Sequence, residues 1–323
     1  MAIDTRVGAT RRSRGTGRTE SGTARDAAFI APKRRRRSDA RAAMFFIAPA
    51  AIGFIAFFLV PSIRGIWFSF TNQNLIGSGE FIGIDNYTRM FDDPLFWNSV
   101  VVTLHYVAIN ITVQTVLAVA IAVLMHRLTQ SVTIRGIILL PYLIANVVVA
   151  LIWFYMFDYS TGIVNVIMDG LGIDRVAFFG NEATAIPTIA LINVWRFVGY
   201  TALLVFAGLQ TIPKQLYEAG ALDGASEARM FRTITLPLLR PVLALVLVVT
   251  VVGSFQIFDT IAVTTNGGPV NATRVIYYYI YQQAFERFDL GYASAIAVVL
   301  LIVLSLIAYA QLKLLRSNQS DLS

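Results

Sequence analysis

Residues 290–312 read LGYASAIAVVLLIVLSLIAYAQL, twenty-three positions without one charged side chain. A helix needs about 20 predominantly apolar residues to cross the hydrocarbon of a bilayer. This stretch is long enough. Outward from it, charge is also absent at 42–63, 94–125 (with one histidine), 136–157 and 241–258, and 186–211 is interrupted only by Arg196. No long apolar run is left over. Six spans are predicted, at about 42–65, 98–125, 136–157, 186–211, 241–262 and 290–312. Pro49, Pro141 and Pro187 lie within or at the start of spans, which membrane helices tolerate where neighbours re-satisfy the freed backbone groups. Composition agrees: 56% of the 323 residues are hydrophobic, 14% are charged, and mean hydropathy is +0.66. Soluble domains carry about 25% charged residues. The predicted fold class is an all-α polytopic membrane protein.

Orientation follows from the basic residues. The first 41 residues hold twelve, including the run from Lys33 to Arg37. With that end in the cytoplasm, the cytoplasmic segments carry twenty Lys and Arg. The outer loops carry four (Arg89, Arg175, Arg274 and Arg287) beside ten acidic residues. Both termini are therefore predicted inside, with 1–41 a disordered basic arm and 317–323 a short tail. The arm's charge suits orienting the first helix and touching anionic lipid, not binding nucleic acid. Arg11-Arg12 lies too far from the first apolar stretch for a twin-arginine signal, no cleavage site is evident, and the first span is expected to be retained.

Absences narrow the chemistry. The chain has no cysteine and only two histidines, His105 and His126, so disulfides, thiol catalysis and a metal cluster are not expected. His105 is expected to pack or make one hydrogen bond. No G-x-x-x-x-G-K-[ST] occurs, so this chain has no phosphate-cradling loop of that kind, and Gly77-Ser-Gly79 is a turn. An intramembrane enzyme would need a Ser/His pair, paired aspartates or metal ligands within spans. A secondary transporter would carry mid-span acidic residues for ion coupling. Neither pattern is present.

The segment 212–240 is too long and too patterned for a simple turn. Pro213 is placed to begin a helix containing Leu216, Ala219, Gly220 and Ala221. Asp223-Gly224 is a stop-and-turn signal, with glycine supplying a positive φ. Ser226 can cap a second short helix, in which Ala228, Phe231 and Ile234 recur, and Pro237 and Pro241 are expected to end it. Two short helices hinged at a glycine make a knob whose small residues suit close approach to another protein.

Here a resemblance emerges. Glu218-Ala219-Gly220, three residues to Gly224, and nine more to Ile234-Thr235-Leu236-Pro237 resemble the EAA loop of binding-protein-dependent ABC importer permeases, with Gly220 where alanine is usual. Phe81-Ile-Gly-Ile-Asp-Asn-Tyr87 with Phe96-Trp97, and Thr265-Asn-Gly-Gly-Pro269 with Tyr281-Gln-Gln-Ala-Phe285, resemble the first of the two paired permeases of maltose-type sugar uptake systems. Residues 44–315 are covered. The resemblance implies the six-helix type I importer permease fold and a coupling helix formed by Glu218, Ala219, Gly220, Asp223, Gly224, Ile234, Leu236 and Pro237. It also implies as partners a second homologous permease in a heterodimer, two ATP-binding subunits and an extracytoplasmic sugar-binding protein. No cofactor is expected on this chain; ATP and magnesium belong to the partner ATPase.

Polar groups within spans are site candidates. In the maltose-type family the substrate pocket is lined from the third to fifth spans. By that resemblance the pathway positions here are Tyr142 and Asn146, Asn193 and Tyr200, Thr250 and Ser254, with Gln256 beside them. Interhelical hydrogen bonding is the competing reading for each. Arg196 is left with two readings, a pore-lining or partner-facing group, or a structural pair. Asp259 is read as structural, and Tyr277-Tyr278-Tyr279 as an interface belt.

Overall fold

The computed structural model describes residues 36–128 and 131–316. Residues 1–35 of the basic arm and the tail 317–323 lie outside the described residues, and 36–41 of that arm are helical. The chain divides into two compact units, Met1–Phe58 and Leu59–Ser323. The first holds α1 (Arg36–Phe54) and the second the helices from α2 onward.

Among the described residues five helices are long and apolar enough to cross a membrane: Ala43–Phe68, Pro94–Leu128, Glu182–Leu209, Glu227–Thr264 and Leu290–Leu314. The remaining predicted span, 136–157, is a bent pair, and counting it as one crossing gives six. Among the described residues the only bridges are isolated ones, Thr71 with Phe81 and Asn74 with Asp289.

In the second unit, α2 (Val60–Phe68) leads through a loop to α3 (Asp85–Asp92) and α4 (Pro94–Leu128). α4 starts four residues before the predicted span because Asp93 accepts from Leu95 N at 2.9 Å and Pro94 needs no donor in the first turn. Then come α5 (Val132–Leu143), α6 (Asn146–Met156) and α7 (Ile163–Gly170), followed by α8 (Glu182–Leu209). α8 is capped by Asn181, whose side chain accepts from Ala183 N at 2.8 Å. α9 (Lys214–Leu222) and α10 (Glu227–Met230) precede α11 (Leu236–Phe255); α12 (Asp259–Thr264), α13 (Ile276–Tyr281) and α14 (Leu290–Arg316) close the chain.

α4, α8 and α11 pack on one another as the core. Two apolar clusters hold them. Near one end Tyr106 and Val107 of α4, Ile186, Ile189 and Ala190 of α8, and Val251 and Phe255 of α11 come together. Near the other, Ala118, Ala122 and Met125 of α4 meet Ala202, Val205, Phe206 and Leu209 of α8 and Leu239 and Val246 of α11. The alanines let the helices approach closely, as membrane bundles require.

Three expectations change. The stretch 136–157 turns by 87° between α5 and α6, because α5 stops just past Pro141 and the carbonyls left open at its end are taken by a side chain of α8, described below. The second loop helix is not ended by Pro237. A π-turn at Phe231–Thr235 absorbs the missing proline donors, and the helix runs on into α11 with Pro237 in its first turn and Pro241 inside. Nor do the three tyrosines form a belt, since Tyr278 and Tyr279 are buried and only Tyr277 is exposed. Tyr279 and Tyr292 both donate to Asp93. Burial works against that carboxylate, yet the two hydroxyls and the Leu95 and Phe96 amides hold its pKa below the usual range. His105 lies on an exposed face of α4.

Candidate functional site

Between the two apolar clusters lies a polar layer. Asn110 and Gln114 sit one turn apart on α4 and both are buried. Asn193 Nδ2 donates to Asn110 Oδ1 at 3.2 Å, and Asn110 Nδ2 donates to Ser254 Oγ at 2.8 Å. Gln114 Nε2 donates to Thr201 Oγ1 at 2.8 Å, and Ser254 Oγ donates to Thr250 O at 2.7 Å. A buried amide left unmatched costs about 1–3 kcal/mol, and these match one another across helices.

Against this layer lies a cavity of about 230 Å³, walled by α4, α5, α6, α8, α11 and α12. Tyr142, Asn146, Asn193, Tyr200, Thr250, Ser254 and Gln256 all line it. Both earlier readings therefore hold geometrically for Asn193 and Ser254, which join the interhelical network and face the cavity. Tyr142 stacks on Tyr200 with ring centroids 4.5 Å apart and planes 12° apart. Asn146 Nδ2 donates to Asp259 Oδ2 at 2.7 Å, so Asp259 also borders the cavity, as the one carboxylate among the described lining residues. Such a lining can offer donors and acceptors to neighbouring hydroxyls and a flat ring face to an apolar surface. Among the described residues no three His, Cys, Asp or Glu cluster to hold a metal.

Asn110 and Gln114 were missed. Their signal was an Asn and a Gln four apart in an otherwise apolar helix, hence on one face. The apolar count hid it.

Arg196 departs from the reading as a structural ion pair and binds backbone instead. Its guanidinium donates from Nε to Ile144 O at 3.2 Å, and from NH2 to Ile144 O at 2.8 Å and Tyr142 O at 3.3 Å. It also lies 4.7 Å from the centre of the Phe197 ring. Among the described residues it makes no ion pair. It satisfies carbonyls that the end of α5 leaves open.

The 212–240 knob is built as its residues suggest at the turn. Gly224 has φ +70°, Gly224 N donates to Ala221 O at 3.1 Å, and Ala225 N donates to Gly220 O at 2.9 Å. This is the paired closure of a helix end on a left-handed glycine. Ser226 Oγ accepts from Arg229 N at 3.4 Å, starting α10. Tyr217 OH and Thr235 Oγ1 lie 2.9 Å apart and tie α9 to the π-turn. Glu218, Ala219, Asp223 and Gly224 are exposed on one side, while Ile234, Leu236 and Pro237 are half-buried. Leu222, at 90% exposure, tips the knob.

Gly220 faces inward. A Cβ there would stand 3.3 Å from Ile234 Cδ1 and from Met230 Sδ, both far ends of flexible side chains. Gly220→Ala is therefore expected to fit with a small shift of Met230 and to gain up to about 1 kcal/mol of helix propensity. Thermal unfolding and transport should match or exceed the parent's. Lost transport in an intact, inserted chain would show that the bare backbone at 220 is itself needed.

The comparisons fit this geometry. The model of the family described as "Binding-protein-dependent transport system inner membrane component" matches residues 114–320. The sulfoquinovosyl glycerol transport system permease protein of Agrobacterium fabrum is 34% identical over 85% of this chain and 91% of its own length. The trehalose/maltose transport system permease protein of Thermococcus litoralis is 33% identical over 81% and 89%, and the arabinooligosaccharides transport system permease protein of Bacillus subtilis 33% over 85% and 89%. A solved bacterial ABC transporter that imports the acidic polysaccharide alginate shares the fold, with TM-score 0.77 at 23% identity over 88% of this chain and 99% of that one. A bacterial alginate ABC transporter solved in complex with an alginate pentasaccharide-bound periplasmic protein matches at TM-score 0.76, 23% identity and coverages of 85% and 93%. With the spans, the knob and the fold together, the chain belongs to the binding-protein-dependent inner membrane transport components, as an importer permease of the type I fold.

Proposed function

We propose that this chain is the membrane-spanning subunit of an ATP-driven importer that moves a sugar, an oligosaccharide or a related carbohydrate, into a bacterial cell. It lies in the inner membrane with both termini in the cytoplasm, so the 212–240 knob faces the side where ATP is found. A second homologous permease completes a heterodimer. Two ATP-binding subunits, carrying ATP and magnesium, seat the knob of each permease, and an extracytoplasmic binding protein delivers the sugar. The chain itself hydrolyses nothing; the knob transmits ATPase closure as a nearly rigid lever.

One observation carries the sugar reading: amide, hydroxyl and stacked tyrosine groups from six helices meet at one cavity between two apolar clusters. The named sugars of the relatives support the class.

The test is uptake by cells expressing the whole complex, offered maltose, trehalose, arabinotriose and sulfoquinovosyl glycerol and followed by mass spectrometry of the medium. Asn193→Ala and Tyr142→Ala are each expected to lower uptake of the imported sugar about tenfold, the loss of one or two good hydrogen bonds or a stacking face. Unchanged uptake and unchanged sugar preference in both variants would sink the assignment.

A further inference from the structure

The break between α5 and α6 carries two of the cavity's residues, one on each arm. Tyr142 is the penultimate residue of α5, and Asn146 is the first of α6. Nothing in the local backbone holds an 87° turn there: one long amide bond, Ile144 N to Pro141 O at 3.4 Å, spans it. What holds it comes from elsewhere.

α8 presents three residues to the break. Arg196 binds the carbonyls of Tyr142 and Ile144. One turn on, Tyr200 stacks on the Tyr142 ring. Between them Gly199 lets the α5 backbone close in, since a Cβ there would lie 2.0 Å from Ile138 O. The far arm is held separately by the Asn146–Asp259 bond to α12.

The geometry points to Arg196 as a positioning residue: a clasp that fixes the α5–α6 break and thereby sets where Tyr142 and Asn146 stand in the cavity. Its charge is spent on backbone carbonyls. Charge-assisted bonds to two carbonyls of a broken helix are strong where water is scarce. A glutamine reaches less far and carries no charge. A lysine keeps the charge but offers a point donor in place of the fork. The inference rests on the sugar reading only for its consequence, not for the clasp itself.

The natural absence of cysteine makes the test direct. Tyr142→Cys with Tyr200→Cys, in the assembled complex with its sister permease and ATP-binding subunits, removes the ring stack and leaves Arg196 to hold the end of α5. Disulfide formation under copper phenanthroline, read by peptide mass mapping, then reports how long the two helices stay in register. Adding Arg196→Gln is expected to slow formation about tenfold, and Arg196→Lys by a smaller factor. An Arg196→Gln rate equal to the parent's overturns the clasp. If the glutamine chain does not assemble, an Arg196→Lys rate equal to the parent's overturns it instead.

A second arm uses Arg196→Lys alone, in an otherwise native complex, with whichever of the four sugars that complex imports. Half-saturation is expected to rise severalfold with a smaller change in maximal rate. Slowed cross-linking with unchanged half-saturation would keep the clasp and refute the sugar reading of the cavity.

Discussion

Glu218→Lys is expected to abolish ATP-driven uptake while leaving the chain inserted and its cavity intact. Glu218 stands exposed on α9, about one turn from the tip, and no residue of α9 is buried. Reversal therefore costs the isolated chain little, as surface charge changes do. At a seat on another subunit the balance differs. Removing one partner of a buried, hydrogen-bonded charge pair costs about 2–5 kcal/mol, which is roughly 30-fold to several thousand-fold in affinity, and reversal adds repulsion. Co-purification of the ATP-binding subunits should fall with uptake. Uptake at the parent's rate, with the subunits still bound, would remove Glu218 from the coupling surface.

Gly199→Ala should be the most damaging single methyl in the core. The added carbon would lie 2.0 Å from Ile138 O and 2.9 Å from Ile138 C. The obstacle is backbone, so no rotamer change relieves it. α5 must move off α8, lengthening the Arg196 bonds and unstacking Tyr142 from Tyr200. Overpacking of this kind costs about 1–3 kcal/mol or more. Lower abundance and a lower melting temperature in detergent are expected, with uptake lost at least in proportion. A Gly199→Ala complex that melts with the parent would mean that α5 and α8 do not approach this closely.

Both sites differ in how readily they could be read beforehand. The spans declare themselves because hydrocarbon tolerates almost no charge, so 290–312 and its counterparts stand out without any knowledge of neighbours. The knob is local chemistry too: Gly224 takes its positive φ and closes α9 through bonds to residues three and four positions inward on the helix. The α5–α6 break is different. Pro141 marks a weakened helix, but whether such a helix kinks or snaps depends on who takes the carbonyls left open at its broken end. That is Arg196, more than fifty residues away. For the same reason a mid-span arginine suggested an ion pair or a pore, when its partners are backbone atoms invisible in residue types. Asn110 and Gln114 were hidden by the opposite error, two amides averaged into a long apolar helix. Pro237 misled because a terminal signal was absorbed by the π-turn just before it.

The layered core has an electrical consequence. A cell holds a voltage across its membrane, worth about 2.3 kcal/mol per unit charge at 100 mV. Along α4, α8 and α11 a hydrated ion would find carboxamide partners at Asn110, Gln114 and Asn193, in the middle. At either end it meets the side chains that pack around Ile189 and Val205, both fully buried. The hydrocarbon caps on the polar layer insulate it, so a path chemically suited to sugars need not short-circuit the membrane that houses it.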